Sequence, residues 1–101
     1  MANNEILKEL EKYVWFQHKL NANIVLDIIA KFLNYHKRIS AYDILYILGI
    51  NSDNNKLPHN KGWTNIDEIK VIKEGPNFYR IIFPAPRFIE STEGINWPFD
   101  F

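Results

Sequence analysis

Residues 68–86 read EIKVIKEGPNFYRIIFPAP, and this stretch decides the fold class. Two runs rich in β-branched and aromatic residues, about 69–73 and 78–83, lie on either side of the turn-forming sequence EGPN. Pro84 ends the second run, because proline has no N–H to donate to a neighbouring strand. We therefore predict an antiparallel β-hairpin, to which residues 87–90 could add an edge strand.

The part of the chain that precedes this hairpin has the periodicity of helices. Apolar residues recur at helical spacing over about 4–20, and charged residues fill the opposite side. The segment about 22–38 is apolar over most of its circumference, and its polar residues form one narrow stripe. This stripe consists of Asp27, Lys31, Asn34 and Arg38. We expect this second helix to be central and covered by the other elements.

A third, short helix is predicted over about 41–48 from signals at both of its ends. Ser40 can cap its first turn, and Asp43, three residues later, completes a variant of the capping box. Gly49 supplies the left-handed residue that ends many helices. Helices followed by strands indicate an α+β fold, with three N-terminal helices packed on the C-terminal hairpin.

Composition limits the class of protein. The 101 residues are 47% hydrophobic and 15% aromatic, so one small globular domain over 1–101 can bury a core without covalent staples. The lack of cysteine excludes disulfide scaffolds, thiolate zinc sites and cysteine nucleophiles, and favours a cytoplasmic location. Charges break the apolar runs well before membrane-spanning length, so we expect no membrane contact. Twelve basic residues balance twelve acidic ones, whereas dedicated nucleic-acid binders usually have a basic excess.

Residues 51–65, NSDNNKLPHNKGWTN, form a polar loop whose length is uncommon in a small domain unless it is functional or disordered. Oxygen-bearing side chains occupy its first, third and fifth positions, as in an EF-hand loop. However, Lys56 stands where that loop needs glycine, and Gly62 stands where it needs a bidentate glutamate. We therefore predict neither a metal nor a cofactor.

The sequence has no catalytic motif. Its histidines, at positions 18, 36 and 59, lack the spacing of metal ligands. Its four glycines form neither a nucleophile elbow nor a phosphate loop, and Ser40 is explained as a helix cap. We therefore expect that the protein is not an enzyme.

The remaining signal is a surplus of aromatic residues near the polar loop and in the C-terminal tail, residues 91–101. Because tryptophan, tyrosine and arginine dominate interface hot spots, we predict a protein–protein interaction module. It would be an inhibitor or adaptor of the kind common among small accessory proteins of phages and mobile elements. Its partner would be another protein or a second copy of the chain. The candidate contact residues are His59, Lys61, Trp63, Trp97, Phe99 and Phe101.

Two other functions stay open. Helices followed by a hairpin outline a winged helix, a DNA-binding fold, although the stretch after Gly49 lacks the pattern of a recognition helix. The candidate phosphate contacts are then Lys37, Arg38, Lys56, Lys70, Lys73 and Arg80. Alternatively, the polar loop could act as a lid over a small ligand or nucleotide, with His59, Lys61 and Trp63 as contacts.

Overall fold

A computed structural model describes residues 1–95, and it confirms the α+β fold class. The helices are α1 (Asn3–Glu11), α2 (Lys19–His36) and α3 (Ala41–Ile47), and a 3-10 turn covers Ile66–Glu68. The strands are β1 (Trp15–Phe16), β2 (Ile39–Ser40), β3 (Lys61–Trp63), β4 (Lys70–Gly75), β5 (Phe78–Ile82) and β6 (Arg87–Phe88). Trp97, Phe99 and Phe101 lie outside the described residues.

The strands form two antiparallel three-stranded sheets. The first has the order β1-β5-β4 and contains the hairpin, in which Ile72 pairs with Arg80 and a bulge lies between Lys73 and Gly75. The second has the order β2-β3-β6. Its edge strand β6 comes from the segment expected to extend the hairpin, but it pairs with β3 instead. Proline at the end of β5 lets the chain turn away from the first sheet.

The first helix is shorter than its periodicity suggests. It ends at Glu11 rather than near residue 20, and residues 15–16 form β1, which pairs Trp15 with Arg80. A backbone hydrogen bond from the Ile81 N–H to the Val14 carbonyl continues this pairing. Aromatic and β-branched residues favour strands, and here a partner strand from far along the chain overrides the local helical spacing.

The third helix has the predicted signals at both ends. The Ser40 hydroxyl accepts a hydrogen bond from the Asp43 N–H (3.1 Å), and the Asp43 carboxylate accepts one from the Ser40 N–H (3.0 Å). Gly49 has φ 89°, and the following N–H, of Ile50, donates to the Leu45 carbonyl (3.0 Å). This geometry satisfies polar groups that a helix end would otherwise leave without partners.

Helix α2 packs against the inner face of the first sheet, where its Ile29 and Phe32 join Ile81 in the core. The expectation that other elements cover α2 holds for this side only. The opposite side is exposed and includes the predicted polar stripe from Asp27 to Asn34. The helix ends at His36 because the next residue, Lys37, is in the left-handed region at φ 70°, so Arg38 lies beyond the helix.

The core also contains α1, α3 and both sheets. Its buried apolar residues are Ile6, Leu10, Val14, Ala22, Ile29, Phe32, Leu33, Ile39, Ala41, Ile44, Leu45, Leu57, Trp63, Ile69, Ile81 and Phe83. Within residues 1–95, no helix combines the length and the apolar character needed to span a bilayer.

Candidate functional site

The start of the polar loop folds on itself through Asn51. Its side-chain oxygen accepts hydrogen bonds from the N–H groups of Asp53 (3.1 Å) and Asn54 (3.2 Å), which is an Asx turn. This oxygen, one of those that resembled calcium ligands, thus binds the loop backbone. Among the described residues, no group of three or more His, Asp or Glu side chains could hold a metal ion.

The middle of the loop is attached to α3. The buried Asn55 side chain donates to the Tyr42 carbonyl (2.9 Å) and accepts from the Leu57 N–H (3.3 Å). Leu57 enters the core, and the Tyr42 N–H donates to the Pro58 carbonyl (3.2 Å). The asparagines of this loop therefore replace the backbone pairing that a regular element would supply.

His59 is the first of the predicted contact residues. Its ring stacks on Tyr42 with the centroids 4.0 Å apart and an interplanar angle of 29°. Its Nδ1 is buried and has no hydrogen-bond partner among the described residues. The residue is half-buried, and its Nδ1 is not accessible to a ligand.

Lys61 and Trp63 both lie on β3 but have different surroundings. The Lys61 ammonium donates to the Met1 carbonyl (3.2 Å) and the Asn3 side chain (3.1 Å), and lies 4.7 Å from the centre of the exposed Phe88 ring. Trp63 is fully buried, and its indole N–H donates to the Pro84 carbonyl (2.9 Å). Lys61 is therefore partly accessible to a partner, whereas Trp63 is a core residue that joins β3 to the segment after β5.

A buried polar cluster lies beside the loop. The Ser40 hydroxyl donates to the Asp43 carboxylate (2.8 Å) and accepts from the Thr92 hydroxyl (2.8 Å). Thr92 also donates its N–H to the His59 carbonyl (3.0 Å). This grouping of a serine, an acid and a histidine backbone is structural, because Ser40 has no surface through which a substrate could reach its hydroxyl.

Three of the six predicted phosphate contacts, Lys37, Arg38 and Arg80, are bonded to other groups of the chain. Arg38 donates to the carbonyls of Glu90 (2.9 Å) and Ser91 (3.1 Å). The Lys37 ammonium donates to a carbonyl of α2, and Lys56 lies beside α1. In β4, Lys70 and Lys73 are three residues apart and therefore point to opposite faces.

Among the described residues, no helix follows Gly49 before β3, so this part of the chain contains no recognition helix. The geometry adds no support to the DNA-binding hypothesis.

The first sheet has an exposed apolar face on the side away from α2, which we call the outer sheet face. Opposite residues in antiparallel strands share a face, so Trp15, Ile72 and Arg80 lie together. Phe78 and Ile82 belong to the same face because they alternate with the core-facing residues of β5. Trp15 is 46% exposed and Phe78 is 49% exposed.

Arg80 lies at the centre of the outer sheet face and is held on several sides. Its guanidinium forms ion pairs with Glu74 (2.7 Å) and Glu11 (3.1 Å) and lies 5.1 Å from the centre of the Trp15 ring. Its Nε is buried and has no hydrogen-bond partner among the described residues. The two carboxylates carry one negative charge more than the guanidinium, and the exposed Lys70 on the same face balances that excess.

A narrow groove of about 80 Å³ separates α1 from β5. It is lined by Leu7, Leu10, Val14, Arg80 and Ile82, among others. Sites for small molecules usually measure about 300–1,000 Å³. The groove can admit one side chain of a partner but does not suit the predicted small-ligand function, and none of His59, Lys61 and Trp63 lines it.

Sequence reasoning missed Trp15 and Phe78 as surface residues. The helical spacing over about 4–20 places Trp15 on the apolar side of a longer α1, and the β-rich run indicates only that Phe78 belongs to a strand. The signal available was the alternation in FYRII, which places Phe78, Arg80 and Ile82 on one face. Which of the two faces is exposed depends on the position of α2, which local spacing does not encode.

Comparisons of this chain with models of protein families, with curated proteins and with solved structures gave no match.

Proposed function

We propose that this chain is a non-enzymatic protein-binding module, an adaptor or inhibitor, that contacts its partner through the outer sheet face. The observation that carries the proposal is the pair of half-exposed aromatic rings, Trp15 and Phe78, arranged around Arg80 on a single sheet face. A cytoplasmic location, expected from the lack of cysteine, belongs to the same proposal.

The composition of the face supports protein binding. Tryptophan and arginine are enriched among the residues that dominate interface energies. A surface formed by adjacent strands also holds its side chains in fixed positions, which lowers the entropy lost on binding. The ion pairs of Arg80 add to this rigidity, because they fix the guanidinium against the Trp15 ring before any partner arrives.

The partner is expected to present apolar groups of little net charge. The positive charges of Arg80 and Lys70 equal the negative charges of Glu11 and Glu74, so the outer sheet face carries no net charge. Binding should therefore depend only weakly on salt. A DNA-binding protein would behave in the opposite way, because phosphate contacts release counterions and affinity falls steeply as salt rises.

The first test removes the exposed rings. The wild-type chain should retain a partner from an extract of its host, and the variant Trp15→Ala/Phe78→Ala should not. With the purified partner, the affinity of the variant should be at least about 100-fold weaker, because two hot-spot side chains are truncated. The matched control is Phe88→Ala, which removes an even more exposed ring from the second sheet.

Circular dichroism and thermal unfolding would verify that all variants are folded. Loss of binding in the Phe88→Ala control alone would contradict the proposal and assign the contact to β6 and Lys61. Equal binding by all three proteins would exclude both faces.

A further inference from the structure

Helix α2 has a second exposed surface, on the side away from the first sheet. At 100° per residue, Leu20, Ile24, Asp27, Lys31, Asn34 and Tyr35 share one side of the helix, and all six are exposed. We call these six residues the α2 face. Three of them are large apolar residues: Leu20 is 69% exposed, Ile24 48% and Tyr35 67%. The face has no covering element among residues 1–95.

The charges of the α2 face are arranged symmetrically. Asp27 and Lys31 lie on either side of the middle of the face, and no ion pair within the described residues involves either one. A two-fold axis level with Ile29 would bring a second α2 antiparallel to the first. Asp27 of each copy would then lie opposite Lys31 of the other, which forms two ion pairs.

The apolar residues fit the same axis. Residues equally far from Ile29 in opposite directions meet across it, so Ile24 of one copy lies opposite Asn34 and next to Tyr35 of the other. Both Ile24 and Tyr35 lie on the same lateral side of the face, which allows the ring to pack on the isoleucine. A parallel pairing in register would instead place Asp27 against Asp27 and Lys31 against Lys31, which is unfavourable.

We infer that the α2 face binds a second copy of this chain, with the two α2 helices antiparallel and Asp27 paired with Lys31 across the two-fold axis. The dimer is of the isologous kind, in which both copies use the same residues. It uses a surface separate from the outer sheet face, so it does not depend on the function proposed above.

Sedimentation equilibrium from about 5 μM to 1 mM tests the inference, since one helix face gives a small interface and weak association. The wild-type chain should show a monomer–dimer equilibrium. Asp27→Lys and Lys31→Asp should each associate at least tenfold more weakly, because each places like charges opposite each other twice in the dimer.

Mixing the two single variants is the decisive measurement. In the mixed dimer, the Asp27→Lys copy carries lysine at both positions and the Lys31→Asp copy carries aspartate at both, so each pair across the axis joins opposite charges. The mixture should therefore recover association to within about threefold of the wild type. Lys8→Asp, an equal charge change at an exposed position of α1, is the matched control and should associate like the wild type.

Circular dichroism should show the same helix content for every variant, because positions 8, 27 and 31 are exposed. A wild-type chain that stays monomeric at the highest concentration would overturn the inference. So would single variants that associate normally, or a mixture that does not recover.

Discussion

At Gly62, β3 passes so close to β2 that no other residue fits. A Cβ at this position would overlap the Ile39 carbonyl oxygen and lie 2.7 Å from the Ser40 Cα. Both obstacles are backbone atoms, which cannot move aside as a flexible side chain can. From the sequence, Gly62 was noted only as a poor calcium ligand. Its close contact with β2 could not be predicted, because the two strands come from different parts of the chain.

Gly62→Ala should therefore destabilise the fold by about 3 kcal/mol or more, since the added methyl group must push apart two paired strands. Gly75→Ala is the control. A Cβ at Gly75 meets no atom within 4 Å, so its effect should stay within about 1 kcal/mol. Urea unfolding of both variants gives the comparison, and equal stabilities would show that β2 and β3 can separate without loss.

The two tryptophans of the described residues show how far residue type predicts a site. Trp63 was a candidate contact but is fully buried, whereas Trp15 was expected on a helix and is half exposed on a strand. Both are large, apolar and carry one N–H donor, so composition cannot separate them. The difference arises from neighbours distant in sequence: Pro84 for Trp63 and Arg80 for Trp15.

At the scale of elements, the start of α3 is joined to the segment after β6 through the Ser40–Thr92 hydrogen bond (2.8 Å). Ser40→Ala removes the acceptor of the Asp43 N–H and leaves the Thr92 hydroxyl buried without that partner, which should cost about 2 kcal/mol. Thr92→Val removes one donor to the Ser40 hydroxyl, which keeps its two bonds to Asp43. We therefore expect this variant to lose about 1 kcal/mol of stability.

The double variant should lose less than the sum of these two effects, because both substitutions remove the same hydrogen bond. Ser91→Ala is the control, since the Ser91 hydroxyl binds only the exposed Glu93 N–H among the described contacts and should matter by less than about 0.5 kcal/mol. Additive losses in chemical denaturation would mean that Ser40 and Thr92 act independently.

Elements with local signals were the predictable ones. The cap at Ser40, the glycine at the end of α3 and the turn before Phe78 each depend on residues a few positions apart. The end of α1 was not predictable in this way, because Trp15–Phe16 takes its conformation from β5. The edge strand β6 was expected, but its partner β3 was not. The residue pattern of a strand does not show which distant strand it pairs with.

At the scale of the whole molecule, the two proposed surfaces lie on opposite sides. The first sheet separates the outer sheet face from α2, and the α2 face points away from that sheet. A dimer through α2 would therefore present its two outer sheet faces in different directions. Such an arrangement could hold two copies of a partner, and the resulting avidity would exceed the affinity of either face.

A chain truncated after Ile95 tests the role of the C-terminal aromatics, Trp97, Phe99 and Phe101, which were predicted as contacts. Within residues 1–95 the buried apolar residues lie between Ile6 and Phe83, and we expect the truncated chain to fold with unchanged helix content. It should also keep its partner affinity within about threefold, because the outer sheet face is intact.

Binding by the truncated chain and by Trp15→Ala/Phe78→Ala should be measured side by side against the same purified partner. Loss of affinity only on truncation would transfer the contact surface from the sheet to the tail.

The strand order has a consequence for biosynthesis. Both sheets join strands from distant parts of the chain, β1 with β5 and β2 with β3 and β6. A ribosome releases α1, α2 and α3 first, so the nascent helices emerge before the strands that bury them. The second sheet cannot close until Arg87–Phe88 has left the exit tunnel. Assembly of the native core is therefore a late event, with its speed governed by the entropy of bringing remote segments together.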